Sequence, residues 1–362
     1  MTKGNVKFNL KDRPEFVKEL RKRVNSHFKD NNISKYSNAS MKFKTVFMIV
    51  LYLVPLAYLL LWNVDFKLSL LLWALMGFGM SGIGLSIMHD ANHGAYSKNQ
   101  NVNNALGYLM NILGSYHVLW KVQHNVLHHS FTNVDGFDED IEIAVMRFSP
   151  NQKRKGIYRF QVFYGPFLYC FLTLYKMLVK DFEQFNRYLR DGYIKGQGLT
   201  RSKAIAEFIF VKVAYFVLLL ALPLYLIDLP WHQVLAGFLL MHFICGLFLT
   251  LIFQPAHVIE ETEFHLPDES GSVENNWAIH QMKTTANFAH GSKFFSWFIG
   301  GLNYQVEHHL FPTICHVHYK DISSIVKKTA EEYGVPYHSY KTFYGALKSH
   351  FSLVNKLGKG VI

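Results

Sequence analysis

The chain has 362 residues; half of them are apolar, 16% are aromatic and only 17% are charged. A soluble domain carries about 25% charged residues, so the composition excludes a disordered chain and an ordinary soluble enzyme. The net charge of +11 fits either nucleic acid or an anionic membrane face. Three cysteines, Cys170, Cys245 and Cys315, form no CxxC pair and exclude a disulfide scaffold.

Residues 1–44 are polar and hold 12 lysines and arginines. Within them Phe16, Leu20, Val24 and Phe28 recur every four residues. That period predicts an amphipathic helix lying on a membrane surface or on a cytosolic cap. The stretch shows no cleavable-signal pattern. Residues 45–62 and 68–88 carry no charge and are joined by the short loop 63–67. Residues 205–227 admit only Glu207 and Lys212, and 233–256 are uncharged again beyond the loop 228–232. A helix needs about 20 apolar residues to cross the hydrocarbon of a bilayer. Four segments meet that length, so hydropathy decides for an integral membrane protein and against nucleic acid.

Short loops make antiparallel hairpins of 45–88 and 205–256, which leaves 1–44, 89–204 and 257–362 on one side. Residues 89–204 hold 14 lysines and arginines, whereas the two opposite loops hold only Lys67. The excess of basic residues places the three large regions in the cytoplasm. Two further runs, 105–120 and 160–178, are interrupted by Gly107, Gly114 and His117 and by Gly165 and Pro166. They read as interfacial or re-entrant helices. The expected fold class is therefore all-α integral membrane: four transmembrane helices in two hairpins with a helical cytosolic cap.

A GxGxxG match at 77–82 lies inside an uncharged segment with no strand before it. It reads as a surface where helices approach closely, not as a dinucleotide site. Walker A, HExxH, GxSxG and ExxH patterns are absent from the sequence. The 19 histidines, in contrast, cluster in three boxes at the predicted cytosolic edge. Box one is HDANH, with His89 and His93 at i, i+4 just past the second apolar segment. On a helix both project from one face and can hold one metal. Box two is HNVLHH; His124 and His128 share a face, and α-helical geometry turns His129 about 100° away. Three imidazoles so placed suit two neighbouring metals better than one. Box three is QVEHH, with Gln305, Glu307, His308 and His309, and Pro312 ends its helix near Phe311. An all-imidazole site suits Fe, Zn, Cu or Ni, and neutral rings leave the metal charge free to bind oxygen-derived anions.

These boxes resemble those of the membrane fatty acid desaturases. The resemblance covers nearly the whole chain, including the run GGLNYQVEHHLFP at 300–312. Gln305 in place of a first histidine resembles the front-end desaturases, which include linoleoyl-CoA (delta-6) type enzymes. The resemblance implies two irons that use O2 and two electrons to place a cis double bond in an acyl chain. Zinc can replace iron in recombinant protein. The implied ligands are His89, His93, His124, His128, His129, His308 and His309, with His257 just beyond the fourth apolar segment. Gln305 is expected to line the site. Asp90, Asp138, Asp140 and Glu307 are candidates to accept ring N–H bonds from the ligands, and Asn133 and Asn287 are similar candidates. His242 lies 15 positions before His257, roughly 22 Å along a helix, and is assigned to helix packing. His117, His280, His290, His316 and His318 are assigned to the surface.

No HPGG motif is present and residues 1–44 are too few for a cytochrome b5 domain, so no haem is expected in this chain. Electrons then come from a separate ferredoxin or cytochrome b5. Lys153, Arg154, Lys155 and Arg159 can steer an acidic donor or hold anionic lipid. The acyl substrate, on CoA, a carrier protein or a lipid, needs a narrow apolar tunnel to fix which carbons react. The active site is expected on the cytoplasmic side of the inner membrane in a bacterium, or of the endoplasmic reticulum in a eukaryote. Two other readings exist. A related di-iron hydroxylase shares the boxes and differs in its product. A metal transporter needs polar residues along its spans, and segments one and two offer none that is charged.

Overall fold

The structure, a computed structural model, describes residues 6–362. In chain order its principal helices are α1 (Pro14–Asp30), α2 (Ala39–Leu61), α3 (Phe66–Asn92), α4 (Arg201–Leu226) and α5 (Trp231–His257). They are followed by α6 (Trp277–Thr284), α7 (Gln305–Leu310), α8 (Tyr319–Glu332) and α9 (Phe343–Lys359).

Among the described residues, α2 to α5 are the four single helices long and apolar enough to cross a membrane, as hydropathy predicts. Side-chain caps set where they begin. Asn38 accepts from the Met41 amide at 3.0 Å to start α2, and Asp65 accepts from the Leu68 amide at 2.8 Å to start α3. Each bond satisfies one of the amides that a helix N-terminus leaves unpaired. The run 105–120 breaks into short helices ending at Gly107, Ile112 and Trp120, none of spanning length. The second interrupted run bends by 70° at Phe171, between helices Gly156–Cys170 and Leu172–Arg190.

The chain forms two compact units from interleaved stretches. One unit comprises Asn38–Val122 and Pro166–Thr250, and so holds α2, α3, α4 and most of α5. Within it α3 is the inner helix: 67% of its apolar window is buried, against 28% for α4. Its glycines permit this. A Cβ on Gly79 would stand 2.8 Å from the Tyr52 amide nitrogen, and one on Gly77 would stand 2.8 Å from the Met241 carbonyl oxygen. The GxGxxG run is thus a packing surface. His242 pairs with Tyr215 Oη at 2.8 Å and Thr173 Oγ1 at 2.9 Å, the packing role expected of it. Lys212, on a spanning helix, is fully compensated. Its ammonium donates to Asp181 at 2.7 Å and to the Gly114 and Met177 carbonyls at 2.8 and 3.0 Å.

The other unit comprises the N-terminal stretch up to Ser37 with Gln123–Gly165 and Leu251–Ile362. Helix α1 buries Phe16, Leu20 and Val24 in one core with Ile322, Val326 and Ala330 of α8. Of the two locations its periodicity allowed, the protein cap is the one occupied. Two short parallel strand pairs, which the sequence pattern did not predict, close this unit. Strand β1 (Lys7–Phe8) pairs with β2 (Ser272–Val273), and β3 (Ala286–Phe288) pairs with β4 (His338–Tyr340). Runs of two or three residues are too short for alternation to register.

Gly79→Leu is expected to destabilise the membrane unit by about 1–3 kcal/mol through overpacking against α2 backbone. Thermal unfolding in detergent reads this as a lowered Tm. Gly196→Ala, where nothing lies within 4 Å of the added methyl, is the control and leaves the Tm in place.

Candidate metal centre

Box one forms at the end of α3, where a π-helical turn at Ile83–Ile87 precedes the last α-turn. The His89 and His93 rings lie 4.8 Å apart between centroids, and Trp120 packs edge-on against both at 5.5 and 5.7 Å. Asp90 is buried, with its carboxylate 3.9 Å from His89 Nδ1. These residues belong to the membrane unit.

Box two departs from the α-helical expectation. Residues Lys121–His128 form a π-helix, whose bonds run from i to i+5 and not from i to i+4. The wider turn brings i+5 over i. His129 therefore does not point away from His124: their Nε2 atoms lie 3.2 Å apart. The His124 and His128 rings still stack, at 5.3 Å. Box three is helix α7, which closes at Phe311 before Pro312, as expected. It sets His308 Nε2 3.0 Å from His129 Nε2.

The ring nitrogens of His128, His257 and His309 all lie within 4.8 Å of one another, and all three residues are buried. Each ring is oriented by an acceptor at Nδ1. His128 donates to the Asp138 carboxylate at 3.1 Å, His257 to the Thr284 carbonyl at 3.2 Å, and His309 to Gln281 Oε1 at 2.8 Å. This fixes the tautomer that offers Nε2 as ligand. His257 Nε2 is buried and has no hydrogen-bond partner in the protein, which an imidazole tolerates when a metal supplies the missing bond. On the other side, His308 Nδ1 pairs with Tyr319 Oη at 3.1 Å, leaving its Nε2 beside His129. Converging neutral imidazoles with a carboxylate behind one of them fit a metal site. Gln305 is buried one helical turn before His309, and its Oε1 has no protein partner.

The carboxylates divide. Asp138 accepts from His128 Nδ1, and Asp140 lies 3.8 Å from the same Nδ1 while accepting a bond from Gln123. Glu307 hydrogen-bonds to none of the box histidines, contrary to expectation. It sits two positions from both Gln305 and His309, which turns it to the opposite face of α7. There Asn287 Nδ2 donates to it at 2.8 Å and Tyr337 Oη at 2.9 Å. Burial pushes its carboxyl up to about 7. Asn287 Oδ1 also accepts from the Val306 amide at 2.9 Å, so this asparagine holds α7 at two points. Asn133, in the left-handed region at φ 55°, donates to the His257 carbonyl at 2.8 Å.

The surface assignment of the remaining histidines is corrected. His117, His280, His316 and His318 are buried, and His290 stacks on Tyr304 at 4.2 Å. His280 Nε2 donates to the Thr132 carbonyl at 2.7 Å, and burial lowers its pKa to about 3, so the ring stays neutral. Sequence reasoning missed Gln281, Thr284, Tyr319 and Tyr337 altogether; none lies in a box or at a spacing that signals one.

The fatty acid desaturase family model matches residues 65–341 of this chain. The sn-1 linoleoyl-lipid 6-desaturase of Synechocystis sp. is 36% identical over 99% of this chain and 99% of its own length. The Arthrospira platensis protein of the same name is 36% identical, over 94% of this chain and 92% of its own. The acyl-lipid (8-3)-desaturase of Physcomitrium patens is 34% identical over 98% of this chain and 74% of its own. The chain belongs to the fatty acid desaturase family. The desaturase is an oxidoreductase of lipid metabolism, and its relatives support the front-end type that box three resembles.

Asp138→Asn removes the charge behind His128 and keeps the shape. Zinc affinity of the metal-free protein is expected to fall by about tenfold or more, read by competitive chelator titration. Asp140→Asn is expected to change it less, because its carboxylate stands farther from the ring.

Proposed function

We propose that this desaturase places a cis double bond between an existing double bond and the carboxyl end of a C18-type chain. The chain is carried as an acyl group of a membrane lipid, and the cofactors are two irons. The observation behind the front-end reading is Gln305, buried on the box-three helix one turn before His309 with an unpaired Oε1. The lipid carrier is supported by the relatives, which are named for linoleoyl-lipid and acyl-lipid substrates. When bound, iron with O2 and two electrons from a separate ferredoxin or cytochrome b5 supplies the oxidation that takes two hydrogens from adjacent methylenes and releases two waters.

The residues contribute position and exclusion. His128, His257 and His309 hold one iron, and His124, His129 and His308 the other; His89 and His93 are added as ligands on the family resemblance alone. Asp138 keeps His128 in its metal-binding tautomer and raises its basicity. Gln305 offers a neutral carbonyl oxygen to a metal or to a metal-bound water. Burial of the rings keeps bulk water from the reacting carbons. The desaturase measures its substrate from the carboxyl end, so the number of carbons between head group and metals is constant.

Expression in a desaturase-free host, with linoleate and oleate fed separately, tests this by fatty acid methyl ester analysis. A new double bond on the carboxyl side of an existing one is expected. Insertion on the methyl side, or activity only on saturated chains, removes the front-end reading; an alcohol product favours the hydroxylase. Gln305→Ala is expected to lose most turnover while the fold remains, whereas Gln305→His keeps metal binding because an imidazole can take the same face.

We also propose that regions 1–44, 89–204 and 257–362, and with them all three boxes, face the cytoplasm. The 12 and 14 basic residues of the first two, against Lys67 alone in the opposite loops, support this. Single cysteines placed at the exposed positions 153 and 190 are expected to label only from the cytoplasmic side of sealed vesicles. Labelling of either from outside overturns the arrangement.

A further inference from the structure

Helix α6 contributes no ligand to the proposed centre, yet it contacts three of the segments that do. Trp277, His280, Gln281 and Thr284 stand at i, i+3, i+4 and i+7, one face of a helix. Trp277 Nε1 donates to the His129 carbonyl at 3.0 Å, and His280 Nε2 donates to the Thr132 carbonyl at 2.7 Å. The Thr284 carbonyl accepts from His257 Nδ1 at 3.2 Å. Gln281 is fully buried and makes the most connections. Its Nε2 donates to the His129 carbonyl at 3.1 Å, its Oε1 accepts from His309 Nδ1 at 2.8 Å, and Thr132 Oγ1 lies 2.9 Å from that oxygen.

The direction of this amide is forced. A backbone carbonyl only accepts, so the NH2 end of Gln281 must face His129. The oxygen is then left to accept, from Thr132 Oγ1 and from the proton on His309 Nδ1. His309 is left with Nε2 as its ligating atom. One neutral side chain thereby sets the tautomer of a box-three ring and ties it to the end of box two.

We propose that Gln281 is a positioning residue for the metal centre, acting through His309; this rests on the reading that the buried histidines hold metal. Its role differs from that of Asp138, which places a full negative charge behind a neighbouring ring of the same cluster. Gln281 supplies an acceptor without that charge, so the two rings differ in basicity while both present Nε2.

The test is Co2+ titration of the purified, metal-free desaturase, read by affinity and by the visible ligand-field spectrum of the bound ion. Gln281→Met keeps the volume and removes the hydrogen bonds to His129, His309 and Thr132. It is expected to weaken Co2+ binding about 10–100-fold and to change the spectrum. Gln281→Glu keeps an acceptor toward His309 and is expected to recover most of the lost affinity. Trp277→Phe removes a bond to the same His129 carbonyl and none to His309; it is expected to bind as the wild type does. Should Gln281→Met not fold, Gln281→Asn, too short to reach either partner, is expected to show the same loss. Wild-type affinity and spectrum in Gln281→Met, or an equal loss in Trp277→Phe, overturns the proposal. A wild-type chain that takes up no Co2+ overturns the metal reading itself, and this assignment with it.

Discussion

An imidazole that is to bind a metal must present a bare nitrogen, and a buried ring can do so only if its other nitrogen delivers a proton to a fixed acceptor. The centre of this desaturase is organised around that requirement. His128, His257 and His309 satisfy it with three different acceptors: a carboxylate from Asp138, a backbone carbonyl from Thr284 and a side-chain amide from Gln281. Each acceptor comes from a chain segment other than the helix that carries its ring. Removing any one frees the ring to rotate or to change tautomer, so the packing of those segments decides which nitrogen each ring presents.

The approach of the box-two rings to one another depends on an irregular helix. In an α-helix His124 and His128 would share a face and His129 would leave it. The π-helix Lys121–His128 has the wider turn that brings His129 back to His124. Such turns are rare and concentrate at functional sites, because their poorer backbone geometry persists only where the surroundings over-determine it. Here the His129 carbonyl accepts from both Trp277 and Gln281 at the exit of that turn. The Gln281 amide thus reaches the exit of that turn with its nitrogen and the His309 ring with its oxygen.

The membrane unit obeys a different constraint. Lipid offers no hydrogen bonds, so close approach of helices depends on small residues and every internal charge must be met within the protein. Gly77 and Gly79 let α3 lie against the backbone of its neighbours, and Lys212 has three oxygen acceptors around its ammonium. Box one sits at the end of this inner helix, with His89 in its last turn and His93 just past it.

The sequence by itself determined the four spans, the three boxes and the family, and named Asp138 only as one of four candidate carboxylates. The first three are local patterns: an uncharged run of about 20 residues, or a pair of rings one helical turn apart. Tertiary structure alone decided the direction of His129, the turn of Glu307 toward Asn287 and Tyr337, and the burial of His117, His280, His316 and His318. It also decided that α1 packs on α8, where its periodicity fitted a membrane surface as well. Gln281 shows why these were not legible: its partners at Thr132 and His309 stand 149 and 28 positions away. A glutamine between a histidine and a methionine, in none of the boxes, carries no mark of what it will meet. Only the return of the chain brings the carbonyl of His129 to one end of its amide and the His309 ring to the other, and those two contacts give the residue its function.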